Sequence, residues 1–311
     1  MLHKKLKIEW DVLQVEKKNF VKNFLFNALI HFSKEGLTNT NIKVVERVCM
    51  CFGMVVSRIV AEDSSVLQTL MNSIPANLQL TRFCLVQILS SVVEEIEVFG
   101  MERGRMVAAN LLKSETLVLQ FLKQVASKPF ASNENAKMET LIRKSSVLCI
   151  SKWISLGVEI EVLYSLDIFN FLFSLSKSAD LFVESLECLS ALFSSPHIFH
   201  SPTSPMQGRL MFEKEEHKKA IQLMVLSINE MEKLFDKLSA EPESETNFSI
   251  IEAISKLAVA IAEANIRMLL HVEDKSILAL LNFLVKCTAS NQSNVRIPFQ
   301  IIYTRKLYFQ I

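Results

Sequence analysis

Two histidines, His197 and His200, stand three residues apart in a segment rich in proline and serine. Imidazole nitrogens at this spacing can share a zinc ion, but a zinc site also needs further ligands in register. No cysteine or other histidine is placed to supply them. The favoured interpretation is therefore an exposed loop over residues 195–207 that holds no metal.

Cys49 and Cys51 stand two residues apart within an apolar run. Side chains two apart on a helix point to different faces, so a shared zinc ion or a redox pair is disfavoured. The six cysteines mostly lie in apolar stretches, which indicates small buried side chains in a reducing compartment rather than a disulfide framework. We expect no metal and no other cofactor.

Motifs of nucleophilic catalysis and of phosphate binding are missing from the sequence, which has no G-x-S-x-G, Walker loop or H-E-x-x-H. A catalytic triad is recognised by its geometry, so an all-helical enzyme stays open as a third class of function. The sequence favours a binding protein without catalysis.

An acidic cluster, Glu94, Glu95 and Glu97, follows an apolar helical run. It is either a solvated helix end, which the helix dipole slightly disfavours, or a surface for a basic partner. Glu94 and Glu95 are the two residues of this cluster that we predict to bind a partner.

A second set of charged residues interrupts an otherwise apolar helical run and includes Lys43, Arg47 and Arg58. These residues form either an ordinary solvent-facing side or, in a solenoid, part of the concave surface on which such proteins bind partners. We predict partner binding for all three.

The stretch LCISKWISLGV, residues 148–158, holds one of only two tryptophans and one of only six glycines. Trp153 could stack on a ligand, anchor the chain at a membrane or pack inside the fold. A helical wheel places Trp153 in the middle of the apolar face, and Gly157 falls where a helix end needs a left-handed residue. We therefore predict structural roles for Trp153 and Gly157.

The composition indicates that helices position these residues. Glycine and proline number only 6 and 7 among 311 residues, which disfavours sheet-rich folds with frequent turns. The net charge of +1 gives no electrostatic reason to expect nucleic acid as a partner. Uncharged stretches are far shorter than the ~20 residues of a spanning helix, so we expect a soluble intracellular protein without membrane insertion.

Apolar residues recur at helical spacing almost everywhere, with short breaks between the helical runs. The breaks are predicted near residues 35–39, 61–65, 73–77, 97–103, 128–133, 157–161, 176–179, 195–207, 240–246 and 290–294. The clearest apolar stripes are Val107, Leu111, Val118, Phe121, Leu122 and Val125; Phe182, Leu186, Leu189 and Phe193; and Ile221, Met224, Val225, Ile228, Met231, Phe235 and Leu238.

Successive helices with one apolar stripe each must bury that stripe against a neighbour. Helix pairs over residues 15–60, 64–93, 102–156, 167–193, 207–270 and 276–305 are closest to the HEAT or armadillo period. We predict an all-α, right-handed α-solenoid of about five to six HEAT-like pairs, as one domain over residues 1–294. Residues 295–311 are predicted to be a divergent tail. An irregular all-helical bundle is the competing architecture.

Several stretches, taken in order, resemble the N-terminal third of an importin-β-type nuclear transport receptor. They are FLFNALIHF, NIKVVERVCMCFGMVVSRIV, LVQILSSVVEEIE, LCISKWISLGV, SADLFVESLECLSALFSSP and ISKLAVAIAEANIRMLL. In the third of these stretches, Val93 replaces the family's proline before Glu94 and Glu95. The subgroup that the chain is most similar to is importin-13 together with transportin-3.

The resemblance implies a receptor that moves between cytoplasm and nucleus and binds protein cargo, the GTP form of the small GTPase Ran and the Phe-Gly repeats of the nuclear pore. The family's first helix pair, which helps to bind Ran, has no counterpart in the matched stretches. The expected chain is thus a truncated isoform, a gene-model fragment or a diverged paralogue. The alternative is a helical-repeat scaffold that has lost Ran binding and transport.

Overall fold

A computed structural model describes residues 2–35, 41–73, 79–127, 136–178, 180–195, 215–240, 244–269 and 280–286. All regular elements in these ranges are helices, and none of the described residues lies in a strand. The predicted all-α class with HEAT-like helix pairs is confirmed. The predicted tail over residues 295–311 and both loop histidines, His197 and His200, lie outside the described residues.

The chain divides into two compact units, Met1–Leu156 (unit 1) and Gly157–Ile311 (unit 2). The boundary coincides with the predicted break at residues 157–161. A single continuous array over residues 1–294 stays a prediction.

Unit 1 contains eight described helices. They are α1 (Leu2–Glu9), α2 (Val15–Glu35), α3 (Ile42–Val60), α4 (Val66–Ser73), α5 (Gln79–Glu94), α6 (Met101–Leu112), α7 (Glu115–Ser127) and α8 (Ala136–Leu156). Helices α3, α5 and α8 pack side by side as one layer. Helices α2 and α4 pack against α3, and α7 packs against α8, which gives the two-layer stack of a helical-repeat protein.

The α3–α5 contact is unusually close at Gly53. A Cβ atom added to Gly53 would lie 2.6 Å from Cβ of Ser91 and 3.1 Å from the carbonyl oxygen of Ile88. Only glycine therefore allows α3 to approach α5 to this distance. The flanking positions Val45, Cys49 and Val56 are all buried.

An N-terminal segment, α1 and the short 3₁₀ turn Trp10–Val12, packs on α3. Its Leu6 and Trp10 are buried. The helix pairs predicted from the sequence begin at residue 15 and therefore leave this segment out. Its helix is eight residues long and carries few apolar side chains.

The outer side of α2 exposes a row of large apolar side chains. Phe20 and Phe24 are 71% and 56% exposed, and their rings stack with centroids 6.4 Å apart. Leu25 and Leu29, on the opposite side of the helix, are buried. A helix with apolar residues on both sides has more apolar surface than its neighbours in unit 1 cover.

Unit 2 contains five described helices and a helical segment over residues 280–286. The helices are α9 (Ile160–Ser165), α10 (Ile168–Leu175), α11 (Phe182–Ser194), α12 (Glu215–Ala240) and α13 (Glu245–Leu269). Helix α11 packs closely on α13, while α10 packs on α11 and α12 packs on α13. This repeats, within unit 2, the two-layer arrangement of unit 1.

The predicted apolar stripes match the observed core. Every residue of the α12 stripe is buried except Val225, which is half-buried. The stripe from Val107 to Val125 is buried too, but it belongs to two helices because a turn at residues 113–114 separates α6 from α7. The predicted break at residues 97–103 is shorter than expected, since α6 begins at Met101 and therefore includes Arg103.

The described helices include none that is both long enough and apolar enough to cross a membrane.

Candidate partner-binding surface

Two of the predicted partner-binding residues form an exposed stripe on α3. Lys43 and Arg47, one helical turn apart, are both exposed, and Val44 and Met50 beside them are 48% and 40% exposed. Basic groups next to accessible apolar side chains offer a partner both charge and contact area. This stripe (Lys43, Val44, Arg47 and Met50) is called the α3 stripe below.

Arg58 does not belong to the α3 stripe, and its interpretation as a solvent-facing residue is wrong. Its residue exposure is only 6%. One guanidinium nitrogen, Nη1, lies 3.3 Å from Oδ2 of Asp11, and Nη2 donates to the carbonyl oxygen of Lys7 at 3.3 Å. The N-terminal segment covers Arg58, and the apolar pattern of the sequence does not reveal that segment.

An aromatic ring and a second arginine complete the environment of Arg58. Its guanidinium carbon lies 4.4 Å from the ring centroid of Phe99, and that of Arg103 lies 5.1 Å from the same centroid. Arg103 also binds Asp11, with Nη1 3.0 Å from Oδ2. The hydrogen bond from Arg103 and the positive charges of Arg103 and Arg58 lower the pKa of Asp11, while burial lowers the pKa of Arg58.

The acidic pair Glu94 and Glu95 is split between two environments. Glu95 is 6% exposed, with Oε1 2.8 Å from Nε2 of His3 and 3.5 Å from Nζ of Lys7. Glu94 is exposed and forms an ion pair with Lys152 of α8, which also donates to Ser90. The expectation that both carboxylates face a partner is therefore wrong for Glu95, which holds the N-terminal segment in place.

Trp153 is fully buried between α8 and α5, as the packing interpretation requires. Its indole N–H points to the carbonyl oxygen of Leu89 on α5, at a long 3.4 Å. Gly157 follows the last residue of α8 with φ of 111°, so the expected positive-φ residue at this helix end is present.

The predicted burial is observed for the cysteines that the structure describes. Cys49, Cys51, Cys84, Cys149 and Cys188 are buried free thiols. Cys49 interacts with Cys84 across the α3–α5 contact, and this hydrogen bond together with burial raises the pKa of Cys49. Within the described ranges, no group of His, Cys, Asp or Glu side chains is arranged to hold a metal ion.

A groove in unit 2 was not predicted. It lies between α10 and α12 above α11 and α13, and encloses about 690 Å³. Lys177, Lys233 and Lys237 line it together with apolar side chains. No pattern in the sequence indicates that α10 and α12 leave a gap beside these lysines.

The chain is similar to a known protein family over part of its length. A family model described as exportin 1-like protein matches residues 43–189, which run from the start of α3 to within α11. The match covers slightly less than half of the chain, and what it implies for function is taken up as a proposal below. No curated protein matches the chain.

The exportin 1-like match covers all seven residues predicted for binding or structure, from Lys43 to Gly157. It also covers the α3–α5–α8 layer of unit 1, so the matched residues include the stacked core of this helical-repeat fold. Helices α12 and α13, which form half of the groove, lie outside it.

Proposed function

We propose that the chain is a nuclear transport receptor of the karyopherin type, as a fragment or isoform, that binds protein cargo and Ran-GTP. The observation that carries the proposal is the exportin 1-like match over residues 43–189, because it coincides with stacked helix pairs in the described structure. The importin-13 and transportin-3 subgroup is part of the same proposal. So are Phe-Gly repeats of the pore as partners and residence in both cytoplasm and nucleus.

The physical mechanism rests on stacked repeats that contact only their neighbours. Small changes at each contact add up along such a stack, so its curvature is soft. Cargo and Ran-GTP that prefer different curvatures have coupled binding free energies, and each then alters the affinity for the other. The chain needs no catalytic group of its own for this cycle, and we propose that it has none.

The α3 stripe is the best-supported contact surface in unit 1. Lys43 and Arg47 keep their charges exposed, whereas the Arg58 and Glu95 side chains are buried in internal ion pairs. Glu94 is also exposed, although its carboxylate forms an ion pair with Lys152. A partner of unit 1 therefore contacts the first half of α3. Arg47 in that half lies about 16 Å along the helix axis from Arg58.

Ran binding is tested by titrating the full chain with Ran locked in the GTP form and with Ran-GDP, using biolayer interferometry. The proposal expects binding of the GTP form and at least tenfold weaker binding of the GDP form. Failure with both forms would reject the receptor function for this chain.

Matched charge reversals locate the surface. Lys43→Glu with Arg47→Glu should weaken binding of the GTP form or of cargo severalfold, because both charges of the α3 stripe change sign. Lys113→Glu with Lys137→Glu reverses two other exposed charges of unit 1 and should leave binding unchanged. Equal effects of the two double variants would mean that the α3 stripe has no special role.

The second candidate is a helical-repeat scaffold without Ran binding. It is favoured by the burial of Arg58 and Glu95, since two of the five residues predicted to bind a partner instead hold the N-terminal segment. A scaffold would bind a protein partner through Lys43 and Arg47 with the same affinity in the presence and absence of saturating Ran-GTP.

A further inference from the structure

The groove between α10 and α12 has an apolar floor. Leu186 and Leu189 of α11 and Leu257 of α13 lie at its base and are almost completely buried by the fold. Phe173 of α10 and Leu234 of α12, both half-buried, form its walls. An apolar side chain that entered the groove would leave water chiefly on contact with Phe173 and Leu234, which the fold leaves partly accessible, and this favours binding.

The rim of the groove is basic. Lys177, Lys233 and Lys237 line it, with Glu230 as the carboxylate among its lining residues. Glu230 forms an ion pair with Lys233, in which Nζ of Lys233 lies 3.1 Å from Oε1 of Glu230. Within the described ranges, no carboxylate lies at ion-pair distance from Lys177 or Lys237. Nζ of Lys177 lies 5.1 Å from the ring centroid of Phe173, and neither ammonium charge is neutralised by a described carboxylate.

Charge is segregated around α12. Lys233 and Lys237, one turn apart, line the groove, whereas Glu232 and Asp236 bind Nζ of Lys286 at 2.6 and 2.9 Å. The hydrogen bonds to Glu232 and Asp236 raise the pKa of Lys286. Glu232 and Asp236 are therefore paired with Lys286 and do not line the groove.

The length of the groove suits a short helix. Its lining residues on α12 run from Ser227 to Lys237, which at 1.5 Å per residue is about 15 Å. That distance equals about three turns of a second helix, whose residues i, i+3 or i+4, and i+7 would face the floor.

We propose that the groove binds an acidic amphipathic helix of a partner protein. The apolar side of that helix enters between α10 and α12, and its carboxylates lie over Lys177 and Lys237. The shape of the floor sets which side of the helix enters, and the lysines select for negative charge by complementarity. This site concerns residues of unit 2 and does not rest on Ran binding or on transport.

A fluorescence anisotropy titration of the full chain tests the proposal with three labelled 15-residue peptides. The first has leucine at i, i+3, i+4 and i+7 and glutamate on both flanks, the second replaces each glutamate by lysine, and the third is an uncharged Phe-Gly peptide. We expect the acidic peptide to bind at least tenfold more tightly than either of the others. Its advantage should shrink in 1 M salt, where the screening length falls to about 3 Å.

Two matched variants place the peptide in the groove. Lys177→Glu with Lys237→Glu should weaken binding of the acidic peptide about tenfold, because two attractive contacts become repulsive. Lys256→Glu changes an exposed lysine of α13 that does not line the groove and should leave the affinity unchanged. Far-ultraviolet circular dichroism of each variant verifies that the helices are intact.

Several results would overturn the proposal. Equal affinity for the acidic and basic peptides would show that charge does not select the ligand. Tighter binding of the Phe-Gly peptide, unaffected by the two lysine reversals, would assign the groove to uncharged aromatic ligands. Self-association that is abolished by Lys177→Glu with Lys237→Glu, without acidic-peptide binding, would assign the groove to a second copy of the chain.

Discussion

The same helix-pair arrangement is closed in one region of the molecule and open in another. In unit 1, α3 and α5 approach so closely at Gly53 that a methyl group would lie 2.6 Å from Ser91. In unit 2, α10 and α12 leave a groove of about 690 Å³. The closed contact leaves no room for a ligand and supports the stack, whereas the open one leaves the partly exposed walls Phe173 and Leu234 accessible beside three lysines.

This difference also separates two kinds of basic residue. Arg58, near the closed contact, is turned inward and shared between Asp11, Phe99 and the backbone of Lys7. Lys237 of the open region projects to solvent at the edge of the groove. Substitutions in the closed region should therefore change stability, and substitutions at the open region should change binding.

The largest effect is expected from Trp153→Ala in the closed layer. Trp153 is fully buried, so its removal should lower the free energy of unfolding by about 3–5 kcal/mol. Urea unfolding followed by circular dichroism measures this change. Trp153→Phe, which retains most of the buried ring, should cost clearly less, and equal costs would mean that the contacts of the indole are not what stabilises this layer.

The second effect tests the α3–α5 approach directly. Gly53→Ala should lower the free energy of unfolding by about 1–3 kcal/mol, because the added methyl group forces the two helices apart. Gly100→Ala is the matched control, since nothing lies within 4 Å of a Cβ added there.

A reciprocal substitution sharpens the Gly53 result. Adding Ser91→Gly to Gly53→Ala removes the Cβ atom that the new methyl group meets, so part of the lost stability should return. A double-mutant cycle measures this coupling, and strictly additive losses would show that the close approach is not limiting.

Arg58→Ala compared with Arg47→Ala separates the internal arginine from the exposed one. Arg58→Ala should cost about 1–3 kcal/mol, because it removes buried hydrogen bonds and a packed guanidinium. Arg47→Ala should change stability by less than about 0.5 kcal/mol, as exposed substitutions usually do. Thermal unfolding of both variants decides, and similar melting temperatures would contradict the assignment of Arg58 to the fold.

Alkaline pH should weaken the closed layer through Cys149. Burial raises the pKa of Cys149 to about 12, from an ordinary value of 9.0. An acid with a raised pKa in the folded state contributes full stability below its unfolded pKa, and loses it as pH rises from 9 towards 12, at about 1.4 kcal/mol per pH unit. Urea titrations at pH 8, 9.5 and 10.5 should show a smaller alkaline loss for Cys149→Ala than for the native chain.

The smallest stability effect is expected at the open region. Lys177→Glu and Lys237→Glu should each change the free energy of unfolding by less than about 0.5 kcal/mol, since both side chains are exposed. Chemical denaturation of the two variants checks this. A loss above 1 kcal/mol at either position would mean that the groove lysines stabilise the fold, and the contrast between the two regions would then disappear.

The features that could be predicted from the sequence are those that depend on local residue patterns. The α12 stripe and the helix end at Trp153 and Gly157 follow from residue type and helical spacing, which are local properties. The positions of Arg58 and Glu95 depend instead on α1, a short helix that does not stand out in the sequence but supplies contacts across more than 40 residues of chain. The groove depends on the distance between α10 and α12, which no periodicity encodes.

The exposed aromatic row on α2 has a consequence for the life of the chain in a cell. Phe20 and Phe24 present a stacked apolar surface even when the protein is fully folded. Chaperones and proteases sort proteins by such surfaces, so the cellular abundance of this chain should depend on whether something covers α2. Phe20→Ser with Phe24→Ser should then raise the steady-state level of the chain expressed alone, which makes α2 a determinant of turnover as well as of architecture.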